Sequence, residues 1–236
     1  MLYNITMKDL LKNLTQYANG VIDDAMVDKL ATFFDMLTAT NEHTNLTRIV
    51  SPSDAVDKHF ADSLSGINHF PPCVKLLDVG SGGGFPALPI AISRPDLDVT
   101  MIDSTGKKVD FLNEVCMSLS LNARALHVRA EEYAHTNARE SYDIVTARAV
   151  ASLPTLLEYC LPFVKVGGSF VAYKTSEDEL LDAQKALETL GGKLVSTHPY
   201  TLNGGDKRTL FIIKKVAPTP PKYPRGQGKP RNKPII

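Results

Sequence analysis

Apolar and polar positions follow two different periods along this 236-residue chain. Up to about residue 70, apolar residues recur every three or four positions, which is the spacing of amphipathic helices. One such stripe consists of Leu10, Leu11, Leu14 and Tyr17. A second predicted helix covers residues 24–40. The first 70 residues are therefore predicted to form a helical region.

A third helix is predicted to begin after Ser51. Ser51 can cap the helix, Pro52 suits its first position, and Asp54 favours its first turn. His59 and Asp62 are three residues apart in this helix, so they share one face. That face is predicted either to line the mouth of a functional pocket or to form a hydrogen-bonded helix junction.

After residue 70, short apolar runs alternate with helical patterns. The apolar runs cover residues 74–79, 98–102, 124–128, 142–147 and 168–173. The helical patterns between them cover residues 86–93, 106–120, 152–161 and 177–190. This order predicts a parallel sheet covered by helices on both faces. Two last runs, 193–200 and 209–215, have no helix between them and are predicted to pair as an antiparallel hairpin.

The chain divides into three predicted regions: helical residues 1–70, an α/β core over residues 71–216, and a basic tail over residues 217–236. The tail carries five Lys or Arg residues, no acid and six prolines, although the whole chain has zero net charge. Such a segment is expected to be extended or disordered. It is either a solubilising end or a basic arm that contacts phosphate.

Several classes of protein are disfavoured by composition. The three cysteines are far apart, and neither they nor the six histidines show the spacing of a zinc site. No run of about 18 apolar residues is present, and the first residues lack the layout of a signal peptide. We therefore expect a cytoplasmic, monomeric protein that has reduced thiols, binds no metal and does not span a membrane.

The most informative motif is a glycine turn at residues 80–84, which follows a buried strand ending at Asp78 and Val79. Gly80 and Gly82 permit a positive φ and close approach of a ligand to the backbone. In a doubly wound sheet the ligand lies beyond the carboxyl ends of the strands, where Asp103 can accept both hydroxyls of a ribose. NAD and S-adenosylmethionine both fit this pattern.

Two details favour the methyl donor over NAD. Phe85 interrupts the regular G-x-G-x-x-G spacing, and Asp78 would repel a pyrophosphate. Asp78 is also placed to bond the amino group of S-adenosylmethionine, directly or through water.

A wider set of motifs appears in a fixed order along residues 40–236. The motifs are Asn45-Leu46-Thr47, the run from Lys58 to Leu64, the run from Asp78 to Pro86, Asp103-Ser104, the run from Lys107 to Leu112, the run from Arg129 to Glu132, the run from Thr146 to Ala151, Tyr173-Lys174, and the run from Pro220 to Arg225. Together they resemble the bacterial 16S ribosomal RNA small-subunit methyltransferase G family, also called the GidB family.

The resemblance implies a class I S-adenosylmethionine-dependent methyltransferase with a Rossmann-like, mostly parallel seven-stranded sheet. It implies methyl transfer to N7 of a guanine in the 530 loop of 16S rRNA, with the small ribosomal subunit as partner. By resemblance, the donor contacts Gly80, Phe85, Ala130, Glu131 and Arg148, while Asp103 holds its ribose. Asp78 and Gly82 complete the predicted donor site.

Guanine N7 carries a lone pair and no proton, so the reaction requires alignment rather than a general base. His59, Asp62 and Arg148 are the candidates for any catalytic role. Lys107, Lys174, Lys222 and Arg225 are the candidates for contacts with RNA phosphate. The alternatives are a class I methyltransferase acting on another RNA or a small molecule, and a non-enzymatic nucleotide- or RNA-binding module.

Overall fold

A computed structural model of the chain describes residues 6–12, 14, 22–148 and 151–236. The predicted apolar runs form one seven-stranded sheet with strand order β3-β2-β1-β4-β5-β7-β6. The strands are β1 Lys75–Val79, β2 Asp98–Asp103, β3 Ala123–His127, β4 Tyr142–Arg148, β5 Val164–Lys174, β6 Gly192–Thr201 and β7 Lys207–Lys215. Strands β1 to β5 are parallel, and β6 and β7 pair as an antiparallel hairpin, as predicted. Strand β7 also pairs antiparallel with β5, which the sequence did not indicate.

Each predicted helix is represented among the described residues, and two short helices, Ala130–Tyr133 and Lys229–Asn232, were not predicted. The helices are α1 Met7–Lys12, α2 Asp24–Asn41, α3 Pro52–Ala55, α4 Asp62–Leu64, α5 Ala87–Ser93, α6 Gly106–Ser118, α7 Ala130–Tyr133, α8 Leu153–Cys160, α9 Leu180–Leu190 and α10 Lys229–Asn232. Tyr17 of the first predicted stripe lies outside the described residues, as do positions 149 and 150.

The third predicted helix contains a stretch of π-helix that the sequence pattern did not indicate. Its start is as predicted, because the Ser51 hydroxyl accepts a hydrogen bond from the Asp54 amide at 3.3 Å. Residues Val56–Ala61 then form a π-helical segment between α3 and α4. The amide of Asp62 accordingly donates to the carbonyl of Asp57, five residues back. Such a wider turn changes which side chains share a face, and it is common at functional sites.

The helical region packs on the same face of the sheet as α5 and α6. The Phe33 ring from α2 lies 5.8 Å from the ring of Phe60 and 5.2 Å from that of Phe85. These rings belong to one buried cluster that also includes Leu76 and Val99 of the sheet. The region therefore completes the hydrophobic core on this face.

The tail packs against the opposite face, so the expectation of an extended or disordered segment is wrong. Its Tyr223 is buried in the cluster formed by α8, α9 and the sheet. Arg225 forms a two-pronged ion pair with Glu158 of α8, at 2.9 Å from Nε and 2.7 Å from Nη2. Arg139 donates from Nη1 to the carbonyl of Tyr223 and from Nη2 to that of Thr219. The tail has few apolar residues, and these polar contacts hold it against the protein instead.

The junction between β7 and the tail is built around a buried amine. Lys215 Nζ donates to the carbonyl of Leu161 at 2.6 Å and to the hydroxyl of Thr219 at 2.5 Å. The carboxylate of Glu140 lies 3.2 Å away. Burial lowers the pKa of Lys215 to about 8, although Glu140 opposes the shift. These contacts fix the direction in which the tail leaves the sheet.

We expect Arg225→Ala to lower the free energy of unfolding by about 3 kcal/mol, the range measured when one partner of a buried ion pair is removed. The reason is that the side chain of Glu158 is 0% exposed and would lose its charged partner. Urea unfolding measures the change.

Lys222→Ala is the matched control, because Lys222 is an exposed cation of the same tail. It is expected to change the free energy of unfolding by less than about 0.5 kcal/mol. Equal effects of the two substitutions would contradict the structural role of the ion pair.

Candidate functional site

The glycine turn after β1 is fastened to the end of β2. Gly80 and Gly82 have φ values of 76° and 55°, which glycine adopts without strain. The amides of Gly80 and Ser81 donate to the carbonyl of Ile102 at 2.9 and 3.2 Å. The amide of Gly82 donates to the Asp103 carboxylate at 3.0 Å. The turn therefore has one conformation, held by the neighbouring strand.

Asp103 lies between two cavities at the carboxyl edge of the sheet. Its second oxygen accepts a hydrogen bond from the Thr105 amide at 2.9 Å, so the carboxylate is held in place from both sides. The first cavity has a volume of about 310 Å³, and its walls include Gly80, Asp103, Ala130 and Glu131. These residues come from the ends of three neighbouring strands, which explains why they are distant in sequence.

The second cavity adjoins the first at Gly80 and Asp103 and has a volume of about 420 Å³. Its walls also include Gly82, Phe85 and Arg148. Every predicted donor-site residue except Asp78 therefore lines one of the two cavities.

Asp78 lies beneath the glycine turn and is 1% exposed. Its Oδ1 accepts a hydrogen bond from the Thr146 hydroxyl at 2.9 Å, whereas Oδ2 has no partner among the described residues. Burial raises the pKa of this carboxyl to about 6, against the opposing effect of its hydrogen bonds to Ser81 and Thr146. Asp78 is thus a buried acceptor with one oxygen unpartnered among the described residues, and a contact between it and a ligand remains a prediction.

Arg148 connects the end of β4 to the helical region. Its Nη1 contacts Asp62 Oδ2 at 2.7 Å, and its Nη2 contacts His59 Nδ1 at 3.2 Å. The guanidinium also lies 5.2 Å from the centre of the Phe85 ring. The three candidate catalytic residues therefore form one cluster. The sequence predicted only that His59 and Asp62 share a helix face, and did not indicate that Arg148 joins them.

The hydrogen bonds of His59 define its protonation state. Arginine can only donate, so Nδ1 accepts and Nε2 carries the proton, which it donates to the Thr47 hydroxyl at 2.7 Å. Burial, and next the charge of Arg148, lower the pKa of His59 to about 3. Its ring stacks on Phe85 with 4.1 Å between the ring centres. His59 is therefore a neutral, rigidly held imidazole at neutral pH.

A third cavity, of about 260 Å³, lies on the other side of His59 and Arg148. Asp62, Tyr173, Lys174 and Arg208 also line it. Asp62 Oδ1 accepts a hydrogen bond from the Tyr200 hydroxyl at 2.6 Å. Asp62 thus accepts hydrogen bonds from Tyr200 and Arg148, an arrangement that fixes the position of Arg148.

Arg208 was not identified from the sequence. It lies on β7 and reaches this cavity only because β7 pairs with β5, where Lys174 is the last residue. Its Nε lies 3.8 Å from the Asp62 carboxylate. Residues 62 and 208 are far apart in sequence, so their proximity could not be predicted from a motif.

The predicted RNA-contact residues differ in their surroundings. Lys174 contacts Glu179 at 2.8 Å and the carbonyl of Ala151 at 3.0 Å. Lys107 and Lys222 are exposed, and Lys108, the neighbour of Lys107, lines the second cavity. Arg225 is paired with Glu158, so a contact between Arg225 and RNA stays a prediction that must compete with this ion pair.

The described part of the chain offers neither a cluster of metal ligands nor a membrane-spanning helix. Among residues 6–12, 14, 22–148 and 151–236, no three His, Cys, Asp or Glu side chains are grouped so that they would hold a metal ion. Within the same ranges, no helix has the length and apolar character needed to cross a membrane.

The sheet order, the glycine turn and the acid at the end of β2 define the fold of class I S-adenosylmethionine-dependent methyltransferases. A methyltransferase from Aquifex aeolicus described as dependent on this donor has a similar structure, with a TM-score of 0.52 and 16% identity over 69% of this chain and 93% of that one. A 1,6-didemethyltoxoflavin-N1-methyltransferase from Burkholderia thailandensis, solved with S-adenosylhomocysteine, has a TM-score of 0.50 at 14% identity, covering 66% of this chain and 77% of that one.

The family follows from sequence comparison. Residues 26–210 match the family model GidB, described as rRNA small subunit methyltransferase G. A ribosomal RNA small subunit methyltransferase G from Lactobacillus delbrueckii subsp. bulgaricus is 44% identical over 95% of this chain and 97% of its own length. The chain belongs to the GidB family of small-subunit rRNA methyltransferases, as the resemblance implied.

We expect Asp78→Asn to raise the free energy of unfolding at neutral pH by up to about 3 kcal/mol, at 1.36 kcal/mol per pKa unit. Because the pKa of Asp78 is raised from 3.8 to about 6 in the folded protein, the folded state binds more protons than the unfolded state between these values. The free energy of unfolding of the parent protein therefore falls, through this group, as the pH rises from about 4 to about 6.

Urea unfolding at a series of pH values checks this prediction. The difference between Asp78→Asn and the parent protein should be largest above pH 6 and vanish near pH 4. Asp110→Asn removes an exposed carboxylate of α6 and controls for loss of one charge. A difference that does not vary with pH would refute the raised pKa.

Proposed function

We propose that this protein transfers the methyl group of S-adenosylmethionine to N7 of a guanine in the 530 loop of 16S rRNA. The donor occupies the first and second cavities, and the guanine enters the third. Membership of the GidB family supports a small-subunit rRNA as the substrate.

The first two cavities have the shape and chemistry that the donor requires. They meet at Gly80 and Asp103, so a single extended ligand can occupy both. The Asp103 carboxylate suits the ribose hydroxyls, and Gly80 and Gly82, which line the second cavity, place no side chain in it. The bound donor supplies an activated sulfonium methyl group, so the protein needs only to hold and align the two reactants.

The third cavity is placed for the acceptor, because it shares His59 and Arg148 with the second. These two side chains therefore lie at the boundary between the donor and the base. Arg148 is held by Asp62 and by the carbonyl of Lys58 at 3.2 Å, so it defines this boundary without needing either ligand. Fixed walls of this kind restrict the approach of the two reactants to one direction.

The N7 assignment depends on the state of His59, at the boundary between the second and third cavities, and of Asp62, which lines the third. His59 has a pKa lowered to about 3, so its imidazole is a weak base. Asp62 accepts hydrogen bonds from Arg148 and Tyr200. Both ring nitrogens of His59 and both carboxylate oxygens of Asp62 are hydrogen-bonded to other residues, which disfavours a role for either side chain in removing a proton. Guanine N7 has no proton to lose, whereas methylation of an exocyclic amine releases one.

The rim of the third cavity is basic, as a nucleotide phosphate requires. Lys58, Lys174 and Arg208 line this cavity together with Arg148. A guanidinium can donate two parallel hydrogen bonds to a phosphate, which makes Arg208 better suited than Lys58 or Lys174, whereas Arg148 is already bonded to Asp62. RNA bases are recognised mainly when they are splayed out of loops, because the major groove that carries N7 is deep and narrow.

Methyl transfer to small ribosomal subunits tests the proposed function. Subunits from a strain lacking the enzyme are incubated with the protein and a donor labelled in its methyl group. We expect label in 16S rRNA, at a 530-loop guanine that becomes sensitive to borohydride reduction and aniline cleavage, as N7-methylguanine is. Label at another position or on an exocyclic nitrogen would refute the N7 assignment, and label only in a small molecule would favour the alternative methyltransferase.

We expect Arg208→Ala to lower kcat/KM for small subunits about tenfold or more while leaving donor affinity unchanged. The reason is that a charge-assisted hydrogen bond contributes about 1.5–3 kcal/mol. Methylation rates measured against subunit concentration, together with calorimetric donor affinities, check this. Lys214→Ala removes an exposed cation from the same strand and should have little effect. A matching loss in Lys214→Ala, or a change in donor affinity in Arg208→Ala, would contradict the assignment.

A further inference from the structure

The first cavity has a wall that belongs to the tail. Gly228, Arg231 and Asn232 line this cavity together with Asp103 and Glu131. They belong to α10 and to the residue before it, where Gly228 has a φ of 67°. The sequence pattern predicted a solubilising end or a basic arm for the tail and gave no sign that it lines this cavity.

The contacts that hold this wall do not involve a ligand. Arg225 is anchored to Glu158, and its Nη2 also donates to the carbonyl of Lys233 at 2.7 Å. The hydroxyl of Thr155 donates to the carbonyl of Pro230 at 3.0 Å. Both Thr155 and Glu158 belong to α8, so α10 is fixed to the helix that follows β4. The wall is therefore preformed.

We propose that the segment of residues 227–236 closes the adenosine end of the donor site, and that Arg231 and Asn232 contribute directly to donor affinity. This inference rests on the proposed function, because it takes the first cavity as the site of the adenosine. The Asn232 amide can both donate to and accept from the edge of a purine. The Arg231 guanidinium provides donors and a planar surface that stacks on aromatic rings.

This placement changes the interpretation of the positive charges in the tail, which the sequence assigned to solubility or to RNA. Arg225 neutralises a buried carboxylate, and Arg231 lines the nucleoside pocket. Two of the five tail cations therefore act within the protein. Binding of RNA by the tail is the competing role, and the experiment distinguishes the two.

Four variants test the inference. Truncation after Gly226 removes the wall but keeps Arg225, Glu158 and the contacts of Thr219 and Tyr223. Arg231→Ala and Asn232→Ala each remove one lining side chain. Lys233→Ala is the matched control, because it removes an exposed cation two residues after Arg231 and keeps the carbonyl that Arg225 contacts.

The measurement is the calorimetric affinity for S-adenosylhomocysteine. We expect truncation to weaken binding at least about tenfold and Arg231→Ala to weaken it about fivefold, with Lys233→Ala unchanged. Thermal unfolding without ligand shows whether each variant is folded. If the truncated chain does not fold, Arg231→Ala and Asn232→Ala decide the question.

Unchanged affinity in the folded truncation, or in both point variants, would overturn the inference. In that case, weaker and less salt-dependent binding to small subunits would assign the tail to RNA. Failure of the proposed function would be recognised differently. The parent protein would then not bind S-adenosylhomocysteine, or Asp103→Ala would bind it as well as the parent does.

Discussion

The cluster around Arg148 is the interaction on which the rest of the site depends. One guanidinium at the end of β4 bonds Asp62 and His59 and lies against the Phe85 ring. It therefore holds the π-helical segment of the helical region against the sheet and forms the boundary between two cavities. Burial lowers the pKa of His59, and the positive charge of Arg148 adds to this effect. Core packing, cleft geometry and the charge state of His59 thus all involve Arg148.

The helical region and the tail line different parts of the cleft. The helical region supplies His59 and Asp62 to the proposed acceptor side, while the tail supplies Arg231 and Asn232 to the donor side. Each end is held to the α/β core by an arginine–carboxylate pair, Arg148 with Asp62 and Arg225 with Glu158. Only the middle of the site, around Gly80 and Asp103, comes entirely from the parallel sheet. The appended segments therefore determine how the generic pocket of the fold is closed.

The strands and most helices were predictable because they depend on local patterns. The apolar runs and the glycine turn determined the sheet and the position of Asp103. Arg208 was missed because its approach to Asp62 depends on strand pairing between distant segments. The tail was wrongly expected to be extended, because that prediction depended on its low content of apolar residues. Composition does not show that a buried acid on α8, Glu158, pairs with Arg225. The π-helical segment was also missed, since hydrophobic period alone does not distinguish it from α-helix.

The sequence by itself determined the α/β order, the terminal hairpin, the glycine turn with its acid, and the family. These properties follow from residue periodicity and from motifs within single βα units. The tertiary structure alone decided which charges are paired and which line a cavity. That is so because burial and ion pairing depend on groups brought together from distant positions, as with Arg225 and Glu158. It also decided that the basic tail lies beside the nucleotide pocket.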